Sequence, residues 1–461
     1  MADVDLLVIG CGPAGEKAAV QAACLGKRVV VVERAPEPGG TAVHTGTLPS
    51  KTLREAGLFL AGHRQRELYG VAVEIDRTQA IPKLLSAKNA VRDREVRRIR
   101  DNLARHGVPL AHGTARIADP HTVDVTSGGG VTRLTAEVIV VATGSRPYRP
   151  ATLDFTSPTI QDADEILVLE RLPMTLTVLG AGVIGWEYAT MFAATHTTVT
   201  LVDPHPGVLP FLDDEIAERL RAGAEGLGLR LRFGVGWETV VANENGVVVT
   251  LADGTRIESE QLLFAAGRQG NTDDLGLQAL GVQVDERGQV QVDEGYRTSV
   301  PSIYAVGDVI GFPALASTSM EQGRVAVCHA FGVPQKQHVS DLLPYGVYTI
   351  PEVSYVGLSE LEARRRGREI VVGRARFCDN ARGAIIGDCD GVLKLVFDRT
   401  TRRLLGCHCV GERAAELVHV GQAIMLLDGT IETFIEMVFN YPTLSELYKY
   451  AAYDALGRLT A

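Results

Sequence analysis

The 461-residue chain has only seven cysteines, an odd number, and none of them stands in a CxxC. A disulfide framework is therefore not expected. No apolar run approaches the ~20 residues that a membrane span needs. Basic residues are outnumbered, 46 Lys+Arg against 56 Asp+Glu for a formal charge of −10, whereas general binding to a nucleic-acid backbone wants a basic surface. There is no low-complexity tract and no long linker. Met1-Ala2-Asp3 leads straight into an apolar segment with no leader pattern, so a cytoplasmic location is expected. What remains is an ordinary globular composition, 46% hydrophobic and 22% charged. The length suggests about three domains as a soft prior and can bury a large core without staples.

Glycine is abundant, with 49 residues, and its placement carries the first functional signal. In DLLVIGCGPAGEKAAVQAACLGKRVVVVER an apolar strand enters Gly10-x-Gly12-x-x-Gly15, then a helix, then a second strand that ends at Glu33. The first glycine permits a tight turn, the second lets a pyrophosphate approach the backbone, and the third lets helix and strand pack closely. The pyrophosphate then sits on a helix N-terminus, where unpaired N–H groups favour anions. LTVLGAGVIGWEYATMFAATHTTVTLVD repeats the device with Gly180, Gly182 and Gly185, ending at Asp203. The first glycine and the acid are 23 residues apart in both copies, 10 to 33 and 180 to 203. One GxGxxG is weak evidence; two in full strand–helix–strand context at equal spacing predict two dinucleotide sites. Two dinucleotides in one chain suggest a flavin and a nicotinamide.

Elsewhere the pattern is structural. VRDREVRRIRDNLARH at 91–106 reads as a solvated helix with Val91, Ile99 and Leu103 turned inward. Residues 116–141 alternate around a GGG turn, as antiparallel strands do. From about residue 340 strands such as VLKLVFD and LLGCHCVG precede helices near 414–428 and 430–440, which reads as a separate α+β domain. Cys407-His408-Cys409 lies in one of these strands, so no metal site is expected there or elsewhere.

GCGPAG, Gly39-Gly40-Thr41, Pro49-Ser50-Lys51, Ala142-Thr143-Gly144-Ser145, GAGVIGWE, AAGRQGNTD and YAVGDVIG together resemble the two-dinucleotide flavoprotein disulfide reductases, the group of lipoamide dehydrogenase and glutathione reductase. That family carries a CxxxxC redox disulfide just after the Gly-Gly pair. Here the segment is GGTAVHTGTLPSK, with Ala42 and Thr47 where the cysteines would stand. The family's C-terminal His-Pro appears as Tyr441-Pro442, although Glu446 remains. Thiol chemistry needs a cysteine, so the likeness implies that the usual disulfide reduction is lost. A narrower likeness, in TGTLPSKTLRE, AVGDVIGFPALAS, GVYTIPE, GERAAELVHVGQAIM and FNYPT, is to the soluble pyridine nucleotide transhydrogenases.

The resemblance implies an α/β architecture: two Rossmann-like dinucleotide-binding domains and a C-terminal α+β dimerisation domain. Its expected pieces are 1–150 and 271–340 for FAD, 151–270 for the nicotinamide and 341–461 for the interface of a homodimer. FAD is expected on Gly10, Gly12, Pro13, Ala14 and Gly15, with Glu33 and Arg34 at the ribose and Thr114 and Ala115, next to Gly113, near the adenine. Gly40, Thr41, Gly46, Thr47 and Ser50 are expected along the flavin from one side. Thr143, Gly144, Ser145, Gly307, Asp308 and Ala316 are expected from the other. The nicotinamide dinucleotide, NAD or NADP, is expected on Gly180, Gly182, Val183, Ile184, Asp203, Gly267 and Arg268. Lys51 is expected near flavin N5, paired with Glu187, and these two are the catalytic candidates. Thr47 and His44 read as polar packing.

The implied activity is FAD-dependent hydride exchange between nicotinamides, since the cofactors carry the chemistry and the protein orients them. The alternative is an NADH dehydrogenase or diaphorase that reduces a quinone. A non-enzymatic flavoprotein would have no need of Lys51 and Glu187. One residue-level reading bears on the substrate. Asp203 sits at the ribose position, and no Lys or Arg follows it before Arg219, so NADH is expected to be favoured over NADPH.

Overall fold

The fold is that of a computed structural model, which describes residues 2–61, 77–169 and 171–460. Its first sheet is built on four parallel strands in the spatial order Leu110–His112, Val29–Glu33, Val4–Ile9 and Gly130–Val141. Ile303–Ala305 adds a fifth in parallel. VVVVE is buried at every position, as a parallel strand covered on both faces requires. The helices Pro13–Cys24 and Ala316–Ala330 pack against each other on one face. The basic stretch belongs to the helix Arg77–Arg105, which turns Val96, Ile99 and Leu103 inward. Val91 is half-buried rather than a core residue. The GGG segment is a hairpin turn between Thr122–Ser127 and Gly130–Val141.

The second sheet repeats the plan. Arg230–Phe233, Thr198–Asp203, Thr175–Leu179 and Gln261–Phe264 lie side by side in parallel, and Ile160–Asp162 closes the row. In both domains an antiparallel excursion leads back to the strand beside the first: Thr114–Asp119 and Thr122–Ser127 lead into Gly130–Val141 in one, and Trp237–Asn243, Gly246–Leu251 and Arg256–Ser259 precede Gln261–Phe264 in the other. The domains are joined by two antiparallel connectors, Ser145–Pro147 and Arg268–Gly270. The helix Val183–Ala194 is buried at every residue from Gly185 on, because the helix Thr47–Ala61 covers its outer side.

The C-terminal domain is a five-stranded antiparallel sheet, ordered Tyr345–Val347, Val353–Gly357, Leu404–Val410, Val392–Asp398 and Ile370–Arg376. The helices Ala414–Leu426 and Leu447–Thr460 cover one face. The Cys407 and Cys409 thiols lie in that core, where burial pushes Cys407 up to about 12. The opposite face meets the helix Asp214–Gly226. There Lys394, 3% exposed, is ringed by Asp213 at 2.8 Å, Glu360 at 3.0 Å and Glu215 at 3.4 Å. Among the described residues no group of acidic, histidine or cysteine side chains could hold a metal, and no helix is long and apolar enough to cross a membrane.

Candidate functional site: a cleft from the first glycine cradle to the second helix

The two fingerprints fold alike. Gly10 has φ +99°, and a Cβ there would meet the Ala142 carbonyl oxygen at 2.4 Å. Gly180 has φ +104° and faces Ala265–Ala266 backbone at 2.8 Å. A Cβ on Gly15 would lie 1.9 Å from the Gly10 oxygen, and one on Gly185 would lie 1.8 Å from the Gly180 oxygen. These glycines are therefore required by turn and packing. The middle glycines are open: a Cβ on Gly182 would meet nothing within 4 Å, and one on Gly12 only Gly40 Cα at 3.8 Å. Each middle glycine leads into a helix, Pro13–Cys24 or Val183–Ala194, whose first-turn N–H groups have no partner within the helix.

The two acids are also equivalent. Glu33 accepts from the N–H of Cys11 at 2.7 Å and of Ala35 at 2.9 Å. Asp203 accepts from Ala181 N–H at 2.5 Å and His205 N–H at 2.8 Å. Each carboxylate thus grips the residue after its first glycine and stands at the C-terminal end of its strand.

A cleft of about 410 Å³ runs from the first cradle. Gly10, Gly12, Pro13, Ala14, Glu33 and Arg34 line one end, with Thr114 and Ala115 across from them. Gly40, Thr41 and Thr47 face Thr143, Gly144, Gly307, Asp308 and Ala316 further in. Thr143 Oγ1 is buried there with no hydrogen-bond partner. A second cleft of about 470 Å³ continues from it, sharing Thr41, Thr47, Asp308 and Ala316 and adding Gly46, Ser50, Lys51, Val183, Ile184, Glu187 and Arg268. The first fingerprint and the start of the second helix therefore meet in one continuous space. Gly15, Ser145, Gly180, Gly182, Asp203 and Gly267 are not among its lining residues.

Lys51 and Glu187 form the ion pair of this space, Nζ to Oε2 at 2.6 Å. Glu187 is held from its other oxygen, which accepts the Tyr348 N–H at 3.0 Å, while the Tyr348 ring lies 4.9 Å from Lys51 Nζ. One turn on from Lys51, Arg54 donates to the Thr349 carbonyl at 3.2 and 3.1 Å and pairs with Glu352 at 3.1 Å. The helix that carries Lys51 is thereby bolted to the 348–352 segment. A second chain of bonds joins the domain connectors: Ser145 Oγ donates to Asp308 at 3.0 Å, and Arg268 donates to Ser145 Oγ and to its carbonyl, both at 2.8 Å. Ser145 thus orients two cleft residues without lining the cleft.

None of the seven cysteines lines either cleft. Ala42 and Thr47 do line the first, and His44 Nε2 is bonded to the Pro38 carbonyl at 3.0 Å. Tyr441 is 72% exposed, and Glu446 accepts from Asn380 at 3.2 Å. The sequence reading missed Tyr348, Asp164 and Gly346, which line the second cleft, and Asn271, whose amide donates to the Thr143 carbonyl at 2.9 Å. Tyr348 stands in a quoted motif, GVYTIPE, and its β-branched, proline-bearing surroundings signalled a fixed loop; Asp164 gave no signal.

Comparison with known proteins agrees with this geometry. Residues 4–323 match the family model described as pyridine nucleotide-disulphide oxidoreductase, and 343–452 match the dimerisation domain of the same family. A soluble pyridine nucleotide transhydrogenase of Mycobacterium tuberculosis is 46% identical over all of this chain and 99% of its own length. One from a Marinomonas species is 42% identical over 99% of this chain and 98% of its own. Among solved structures, LpdA from Mycobacterium tuberculosis superposes with a TM-score of 0.90 at 27% identity, covering 99% of this chain and 100% of that one. The chain belongs to the pyridine nucleotide-disulphide oxidoreductases, a family that uses FAD and NAD(P), and within it to the group of the soluble pyridine nucleotide transhydrogenases.

Proposed function

We propose that this protein is an FAD-dependent transhydrogenase that passes hydride from one nicotinamide dinucleotide to another at a single cleft, without a redox disulfide. The observation that carries this reading is that the first cradle, the start of the helix Val183–Ala194 and the Lys51–Glu187 pair share one space that no cysteine lines. The residues fit FAD. Gly12 leaves the backbone open to a pyrophosphate, and the orphaned Thr143 hydroxyl can be satisfied by a polar cofactor atom.

When bound, the flavin supplies a two-electron relay between nicotinamides. The chain's own residues bind and orient. Gly10, Gly12, Pro13 and Ala14 would hold the FAD pyrophosphate, Glu33 and Arg34 the ribose, and Asp308, set by Ser145, the chain between ring and phosphate, with Gly15 keeping the helix close to the turn. Gly180, Gly182 and Asp203 would hold the second dinucleotide, with Val183 and Ile184 as apolar lining for its ring. Lys51, fixed by Glu187, places a positive charge where negative charge develops, in a site whose low dielectric strengthens it. Segments 1–150 and 271–340 form the FAD domain in this reading, 151–270 the nicotinamide domain and 341–461 the interface of a homodimer in the cytoplasm.

Steady-state kinetics test the proposal. With NADPH as donor and a thionicotinamide NAD analogue as acceptor, parallel double-reciprocal lines are expected, because the two ligands take turns at one site. Intersecting lines contradict the single-site exchange. Turnover with a quinone but none with the analogue favours the NADH dehydrogenase reading, which Asp203 fits equally well.

A further inference from the structure

Asp164 is an ionisable cleft residue that neither the glycine cradles nor the Lys51–Glu187 pair employs. It lies in the turn after Ile160–Asp162, the edge strand of the second sheet. That strand is parallel to its neighbour Gln261–Phe264, so its C-terminal end opens on the same crevice as the second fingerprint. Ligands of open α/β sheets bind at that end. Asp164 lines the second cleft with Val183, Ile184 and Arg268.

Its oxygens are unequally served. Oδ1 is buried with no hydrogen-bond partner. Thr45 and Arg268 both favour its charged form, but Arg268 commits Nε and Nη2 to Ser145. Burial nonetheless raises the Asp164 carboxyl above the ordinary range. A buried acceptor without a partner is costly, so the ligand that completes this corner must bring a donor. The apolar Val183 and Ile184 beside it suit a flat ring. On a nicotinamide, the ring's one donor is the carboxamide N–H2.

We propose that Asp164 is a specificity-determining residue whose Oδ1 accepts a hydrogen bond from the nicotinamide carboxamide and so fixes which way the ring is turned in the cleft. This rests on the nicotinamide reading of the second fingerprint.

The test is a calorimetric titration of the FAD-loaded enzyme with NAD and with 3-acetylpyridine adenine dinucleotide, which has a methyl group in place of the amide nitrogen. The wild type is expected to bind NAD about tenfold more tightly than the analogue. D164A should lose about that factor for NAD and leave the analogue unchanged, whereas D164N, which keeps an acceptor oxygen, should retain most of the discrimination. Equal weakening of both ligands in D164A, or no discrimination in the wild type, overturns the inference while leaving the transhydrogenase reading in place. A wild type that binds neither ligand overturns both.

Discussion

Replacing NADH by NADPH brings a phosphate to the neighbourhood of Asp203, and the surroundings of that carboxylate set the penalty. Asp203 cannot swing aside freely, because it accepts from Ala181 N–H at 2.5 Å and His205 N–H at 2.8 Å. Compensating charge is scarce. Residues 204–218 contain no Lys or Arg, and Arg219 donates to the Asp390 carbonyl at 3.1 Å in the C-terminal domain. Two unit charges 4 Å apart at an effective dielectric of 20 repel by about 4 kcal/mol. Counterions, with a screening length of ~8 Å at physiological salt, reduce this. A residual of about 1.4–4 kcal/mol corresponds to a preference for NADH of roughly 10- to 1000-fold. The assay is kcat/KM for each coenzyme with one common dye acceptor. Asp203→Asn keeps an acceptor for the Ala181 N–H but removes the charge, and should shrink the gap by about tenfold or more. Added salt should narrow it in the wild type alone. Equal kcat/KM for the two coenzymes in the wild type refutes the reasoning, and so does an Asn variant with an unchanged ratio.

Three further outcomes follow from contacts already described. Lys51→Met strips the cation from Glu187, whose side chain is only 10% exposed. It should slow flavin bleaching by NADH about 100-fold in stopped flow with FAD content retained, and a loss under about threefold removes Lys51 from the reacting centre. Lys394→Met leaves Asp213 buried without its cation, and should cost about 3–5 kcal/mol in urea unfolding; a cost under about 1 kcal/mol contradicts the account of that cluster. His408 is buried beneath Tyr355, and burial lowers its pKa below the ordinary 6.5. The unfolded chain therefore takes up the proton first, so stability should fall as pH drops below about 6.5, by at most ~1.4 kcal/mol per pH unit. His408→Gln should flatten that slope, and an unaltered slope assigns it to other groups.

The legible parts of this molecule are those written locally. Gly10 to Glu33 and Gly180 to Asp203 each encode turn, helix and strand within a short stretch, so both cradles could be read from spacing alone. The GGG hairpin and the buried strand of Cys407 and Cys409 were equally open, since alternation reports a sheet face directly. The helix of 77–105 was read only from residue 91; its first half contains Pro82, a residue that usually ends a helix. The final helix, Leu447–Thr460, was not read at all, and its burial depends on the sheet beneath it. The site's finer wiring was illegible for a different reason. Glu187 meets Tyr348 and Ser145 meets Asp308 across more than 150 residues of chain, where no periodicity operates. Lys51 and Glu187 could be paired only through the family likeness. Asp164 lay beyond both routes, since its importance consists in an oxygen that the fold buries and leaves without a partner.

The central claim, hydride exchange between nicotinamides, is tested most directly under anaerobic conditions. The FAD-loaded enzyme is bleached with one equivalent of NADH, then mixed either with a thionicotinamide NADP analogue or with a soluble quinone. Rapid return of the flavin colour with formation of the reduced analogue is the predicted result. Return of colour with the quinone alone would contradict it and make the protein an NADH dehydrogenase on a transhydrogenase scaffold.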